Sequence, residues 1–177
     1  MKILELGCGR AKTPGAIGVD INPRSNADII HDLDQYPYPF PDSEFDRVLC
    51  FDVLEHLDNF VRAVEEIWRI SKSGGTVAVS GPFMSSVNYY SDPTHKRAFT
   101  SRSFDYFIPG TAASEYAYSA ARFRLVSVEY DKPGRAERRG ISLWLLHWAN
   151  RNKDWYERRF AFIYPMFQVD FELEVLK

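Results

Sequence analysis

The sequence predicts an α/β fold, a mostly parallel sheet with an antiparallel strand at its C-terminal edge. Short apolar runs alternate with loops and helical stretches through the first half of the chain, the pattern of strands joined by crossovers. A glycine turn, Gly7-Cys8-Gly9, stands between the first run and the second. The last segment sets Phe167, Val169, Phe171, Leu173 and Val175 in strict alternation with Gln168, Asp170, Glu172 and Glu174, so it is a strand with one buried face.

The elements follow in order. Lys2 to Leu6 is the first strand and Ala16 to Asp20 the second, the latter ending in a carboxylate. Ala27 to His31 reads as a short third strand, and the proline-punctuated run from Tyr36 to Pro41 after it cannot be helical. Asp46 to Phe51 is a fourth strand. Leu57 to Ser73 keeps apolar residues on one helical face, with Gly74-Gly75 as the stop. Thr76 to Ser80 is a fifth strand, followed by a long polar loop from Gly81 to Thr100, and loops of that length are often functional. A short helix capped by Thr100 or Ser101, a sixth strand from Phe123 to Tyr130, and two aromatic-rich helical stretches between Ile141 and Tyr164 complete the pattern.

A length of 177 residues with 45% hydrophobic content suits one domain over 1–177. The formal net charge of -2 gives no global basic field, so no nucleic-acid partner is expected. Cys8 and Cys50 sit in apolar, strand-like contexts, which suits a reducing cytoplasm better than a disulfide scaffold. No stretch approaches the length of a membrane span, although Ile141 to Ala149 could rest on a membrane surface as readily as in a core. Arg135, Arg138 and Arg139 crowd one short loop, either a solvated surface or a rim that attracts an anionic acceptor.

Chemistry points to the early turns. Glycines after a strand let a ligand approach the backbone and leave amides exposed, and a carboxylate ending the next strand can accept both hydroxyls of a ribose. Glu5-Leu6-Gly7-Cys8-Gly9 and Gly18-Val19-Asp20-Ile21 resemble the first two motifs of class I S-adenosylmethionine-dependent methyltransferases. His31-Asp32-Leu33, Pro39-Phe40-Pro41-Asp42 with Phe45-Asp46, Val53-Leu54-Glu55-His56-Leu57, and Lys72-Ser73-Gly74-Gly75 resemble the family's later landmarks in their usual order. The resemblance implies a Rossmann-like sheet of about seven strands with helices on both faces. It also implies a cofactor-binding half over 1–83 and an acceptor side over 84–177, with an aromatic helical insertion at 141–164.

Carried onto this chain, the resemblance implies S-adenosylmethionine as cofactor. Gly7, Cys8 and Gly9 would lie under its methionine part, with Glu5 as a polar anchor. Asp20 would take the ribose, Ile21 the adenine face, Asp32 and Leu33 the adenine edge, and Phe51 with Asp52 the opposite wall. Only six residues separate Gly9 from Ala16, Pro14 and Gly15 among them, so the first helix is cut to a turn. Lys12 or Arg10 could then meet the cofactor's carboxylate in place of a helix N-terminus. The third glycine of a dinucleotide fingerprint is missing, which argues against a nicotinamide cofactor and an oxidoreductase.

Methyl transfer needs alignment and exclusion of water more than dedicated groups, with a base where the acceptor carries a proton. His95, inside Asp92-Pro93-Thr94-His95-Lys96-Arg97, is the preferred catalytic candidate and His56 the second. Asp92, His95, Arg97, Arg138 and Arg139 are the candidate acceptor-binding residues. Asp92 and His95 lack a third ligand at suitable spacing, so no metal site is expected. A small-molecule acceptor, such as a sugar derivative, a lipid or an aromatic metabolite, comes ahead of protein or nucleic acid. The alternative from another class is a non-catalytic module that binds the cofactor or a nucleoside.

Overall fold

The computed structural model describes residues 1–132 and 140–177. Its sheet has seven strands: β1 (Ile3–Leu6), β2 (Ala16–Asp20), β3 (Ile29–Ile30), β4 (Phe45–Phe51), β5 (Ser71–Pro82), β6 (Arg122–Tyr130) and β7 (Gln168–Leu176). They lie in the order β3-β2-β1-β4-β5-β7-β6. The first five run parallel to one another, while β7 runs antiparallel to both β5 and β6. The antiparallel strand foreseen from its alternation is therefore penultimate, and β6 closes the edge. Val169, Phe171, Leu173 and Val175 are the buried alternate positions of β7.

The long helix is α1 (Phe60–Ile70), which buries Ala63, Val64, Glu66, Ile67 and Ile70. Asn59 caps it by accepting from the Arg62 amide. It is shorter at both ends than its apolar period suggests. Residues 54–56 are turn, and Ser71 already pairs with Phe45 in the sheet, so the glycines lie inside β5, near its irregular start, instead of capping the helix. At Gly75 a Cβ would lie 2.9 Å from the Lys72 carbonyl oxygen.

Three expectations are corrected. The loop after β5 contains a short helix, α2 (Val87–Ser91), capped by Ser86. The helix expected after Thr100 is instead a pair of 3-10 turns, Asp105–Phe107 and Ala112–Tyr116, because Pro109-Gly110 interrupts the segment between them. The third strand is shorter than Ala27 to His31: only Ile29 and Ile30 join the ladder, since the Asp28 carboxylate turns aside to accept from the Gly18 amide at 2.7 Å.

The aromatic segment forms α3 (Ile141–Arg151) and α4 (Lys153–Arg159). Part of it is core. Tyr156 is buried against Phe83 and Tyr130, and Trp148, Trp155 and Phe160 pack on one another. Trp144, Phe162 and Ile163 face outward. Among the described residues no helix is long and apolar enough to cross a membrane.

Candidate active site

The carboxyl ends of β1, β2 and β4 open on a crevice of about 300 Å³, lined by Gly7, Asp20, Ile21, Asp32, Leu33, Asp34, Asp52, Val53, His56 and Leu57. Gly7 takes φ +67°, and a Cβ there would meet the Val53 side chain at 2.5 Å, so glycine is required for both conformation and space. The Asp20 carboxylate is held by two amides, Gly9 N–H donating to Oδ2 and Asn22 N–H to Oδ1, both at 2.8 Å. Each oxygen keeps a lone pair for a further donor. Asp32 is fixed by the Asp34 amide at 3.0 Å. Ile21 lies at the crevice rim with 62% of its surface exposed, an apolar side chain placed where a flat ring could cover it.

Asp52 follows β4 with φ 52°, a conformation unusual for a side chain other than glycine or asparagine. That turn puts its carboxylate between two spaces, for Asp52 also lines a smaller cavity of about 150 Å³ with Glu55, Pro82, Asn88, His95, Phe167 and Gln168. Gln168 holds it there through a side-chain hydrogen bond.

Glu55 is 1% exposed, and both of its carboxylate oxygens lack a hydrogen-bond partner among the described residues. Burial pushes its carboxyl up to about 8. His95 Nε2 lies 4.0 Å from Glu55 Oε1, and the rings of His56 and His95 are 4.7 Å apart. Nδ1 of His95 meets the Tyr89 carbonyl oxygen at 3.1 Å, and Nδ1 of His56 meets the Thr94 hydroxyl at 2.8 Å. Burial and the neighbouring His95 lower the His56 pKa.

Residues 4–79 match the family model described as a methyltransferase domain. Over these residues the chain is similar to a methyltransferase domain. The uncharacterized protein MJ0638 of Methanocaldococcus jannaschii is 51% identical over 41 residues, which is 23% of this chain and 18% of that protein, so the matched stretch is well under two thirds of the relative. A SAM-dependent methyltransferase from Archaeoglobus fulgidus aligns over 98% of this chain and 85% of its own, with a TM-score of 0.59 and 20% identity. The cyclase SpnF aligns over 99% of this chain and 75% of its own, with a TM-score of 0.56 and 18% identity.

Within the matched segment, Gly7, Asp20, Ile21, Asp32, Leu33 and Asp52 come together around the crevice. Other candidates stand apart from it. Glu5 is buried and accepts from the Thr13 amide at 2.6 Å; it braces the shortened turn from beneath. Cys8 is buried toward Gly18, where a Cβ would meet its sulfur at 2.7 Å. Gly9 contributes its amide to Asp20, and Phe51 ends β4 immediately before Asp52. Lys12 is drawn away from the crevice by Asp28, at 2.7 Å, and Arg10 is exposed, so neither stands in the crevice lining.

On the acceptor side His95 lines the small cavity, but Arg97 does not. Its guanidinium donates to the carbonyl oxygens of Leu54, Leu57 and Asp58, a cluster of unsatisfied acceptors at the turn before α1 that claims all of its reach. Asp92 is exposed and accepts from both the amide and the hydroxyl of Thr94, so it acts on the loop. Arg138 and Arg139, with Arg135, lie outside the described residues. Sequence reasoning missed Glu55, Asn88, Phe167 and Gln168 as wall residues. A glutamate inside an otherwise apolar Val53-Leu54-Glu55 run was the available signal, since a carboxylate is rarely buried without a purpose.

Proposed function

We propose that the protein transfers the methyl group of S-adenosylmethionine to a small acceptor whose reacting atom enters the cavity beyond Asp52. The observation that carries this reading is the shared wall: Asp52 borders both the cofactor-sized crevice and a small polar cavity containing His95 and a buried Glu55 whose oxygens have no hydrogen-bond partner among the described residues. When bound, S-adenosylmethionine supplies a methyl group on a cationic sulfur, open to in-line displacement.

The residues fit that ligand. Asp20 has lone pairs left for ribose hydroxyls, and Ile21 and Leu33 offer apolar cover for adenine. Asp20, Asp32, Asp34 and Asp52 make the lining acidic, which favours a cation and repels the pyrophosphate of a dinucleotide. Asp52 stands where the two spaces meet, and its carboxylate would offset the positive charge of the bound cofactor. The reacting atom of the acceptor is held against His95, which takes up the proton it sheds, with Glu55 beside it. A cavity of about 150 Å³ admits one functional group of a metabolite, and the net charge of -2 disfavours a nucleic-acid acceptor.

Calorimetric titration with S-adenosylmethionine, S-adenosylhomocysteine and NAD tests the cofactor half: the two adenosyl ligands bind and NAD does not. His95→Ala tests the other half, with turnover lost and cofactor affinity retained. Cofactor binding without turnover on any acceptor would favour a non-methylating role, and the structural likeness to the cyclase SpnF shows that this fold carries other chemistry.

A further inference from the structure

Glu55, His56 and His95 come from two segments distant in sequence and converge, one ligand atom of each lying within 4.8 Å of the others. Three features set this cluster apart from an ordinary polar wall. The Glu55 side chain is almost completely buried, yet neither oxygen has a hydrogen-bond partner among the described residues. A carboxyl buried in that state keeps its proton, which a cation that met it would displace. His95 Nε2 stands at 4.0 Å, too far for a hydrogen bond and somewhat wider than the roughly 3.3 Å between two ligands of a tetrahedral ion with bonds of about 2.0 to 2.1 Å, so a small closure of the side chains would complete the pair.

The second feature is the hydrogen-bond bookkeeping of the rings. The Thr94 hydroxyl donates to Asp92 Oδ1 at 2.6 Å, so toward His56 Nδ1, at 2.8 Å, it can only accept. His56 therefore carries its proton on Nδ1 and its lone pair on Nε2. The Tyr89 carbonyl oxygen at 3.1 Å from His95 Nδ1 has nothing to donate, which fixes the same tautomer in His95. Outer partners of this kind, a backbone carbonyl and a carboxylate-linked hydroxyl, orient histidines that ligate metals.

The third feature is access. His95 and Glu55 line the small cavity together with Asn88 and Gln168, and His56 lines the crevice beside it. Further ligand positions thus face the space assigned above to the acceptor.

From these features we infer that Glu55, His56 and His95 form a binding site for a divalent transition-metal ion, with two imidazole nitrogens and one carboxylate oxygen as ligands. That donor set suits zinc, manganese or iron(II) and leaves positions open for an exogenous oxygen. The ion displaces the Glu55 proton and gives the resulting carboxylate its counter-charge. Resting on the methyl-transfer reading, the inference narrows the acceptor to one that presents an oxygen donor to the ion, and the Nε2 lone pair of His95 then serves the ion. The sequence did not show this set, because Asp92 and His95 look incomplete until the fold brings Glu55 and His56 across.

The test is calorimetric titration of chelator-treated protein with zinc chloride and manganese chloride, together with the visible spectrum after addition of cobalt(II). One equivalent is expected to bind, with the cobalt bands of a site of low coordination number. Glu55→Gln and His95→Ala should each weaken binding at least tenfold, with S-adenosylmethionine affinity in the same samples reporting that the fold is intact. Absence of saturable binding and of cobalt bands in the wild-type protein would overturn the inference, as would undiminished binding in folded His95→Ala. The cofactor titration is independent: a protein that binds the ion and not S-adenosylmethionine would retain the site and lose the methyl-transfer reading.

Discussion

At Asp20 both carboxylate oxygens already hold backbone amides, so the side chain is oriented before any ligand arrives. Asp20→Ala should weaken S-adenosylmethionine binding by about 1 to 3 kcal/mol, the cost of stranding buried donors, read by calorimetry; unchanged affinity would remove Asp20 from the ribose role. Gly7 and Asp20 were legible from their positions after two strands, because backbone conformation and strand ends leave a local signature. Glu55 and Gln168 were not. Their meaning depends on which segments the fold brings together, and no spacing within Val53 to Leu57 shows that His95 and Gln168 will share their cavity.

At the scale of elements, α1 is tied to the loop preceding β4 through one buried carboxylate. Glu66 Oε2 accepts from the Tyr38 amide at 2.7 Å and from Arg69 at 2.8 Å. Burial opposes its ionisation, but the Arg69 fork and the Tyr38 amide outweigh it and hold the carboxyl below its usual range. A depressed pKa stabilises the fold above the unfolded value, roughly 4.3 for glutamate, and that stability is lost as the pH falls through the folded value. Glu66→Gln should lower stability at neutral pH by about 1 to 3 kcal/mol, and denaturant midpoints of variant and parent should converge below pH 4, roughly the usual carboxylate range. Midpoints that stay apart in acid would show that shape, and not charge, holds the contact. The limits of α1 escaped the sequence for a related reason: its apolar period continues into residues that the sheet recruits at Ser71, and tertiary pairing prevails over local preference.

For the molecule as a whole, β7 joins what would otherwise be two separate structures. Phe171 is buried, packs on Phe104, and pairs with Val79 on one side and Val128 on the other. Phe171→Ala should cost about 3 to 5 kcal/mol, with far-ultraviolet circular dichroism and tryptophan fluorescence moving through one common transition. Separate transitions would mean that β6, α3 and α4 fold independently of the parallel strands. The fold class was legible because strand alternation and turn chemistry recur along the chain. The place of β7 was not, since the alternation of Phe167 to Val175 fits an edge and a penultimate strand equally well.

That placement bears on the order of events during folding. Val77 finds its partner in Leu173, and Leu125 finds the same Leu173 from the other side, so neither β5 nor β6 can complete its ladder until the last strand has arrived. Closing so long a stretch of chain carries an entropic cost before any contact rewards it, and topologies of this kind fold slowly. Until then two open strand edges face solvent, and a nascent or refolding chain is most exposed to pairing with its neighbours at those edges.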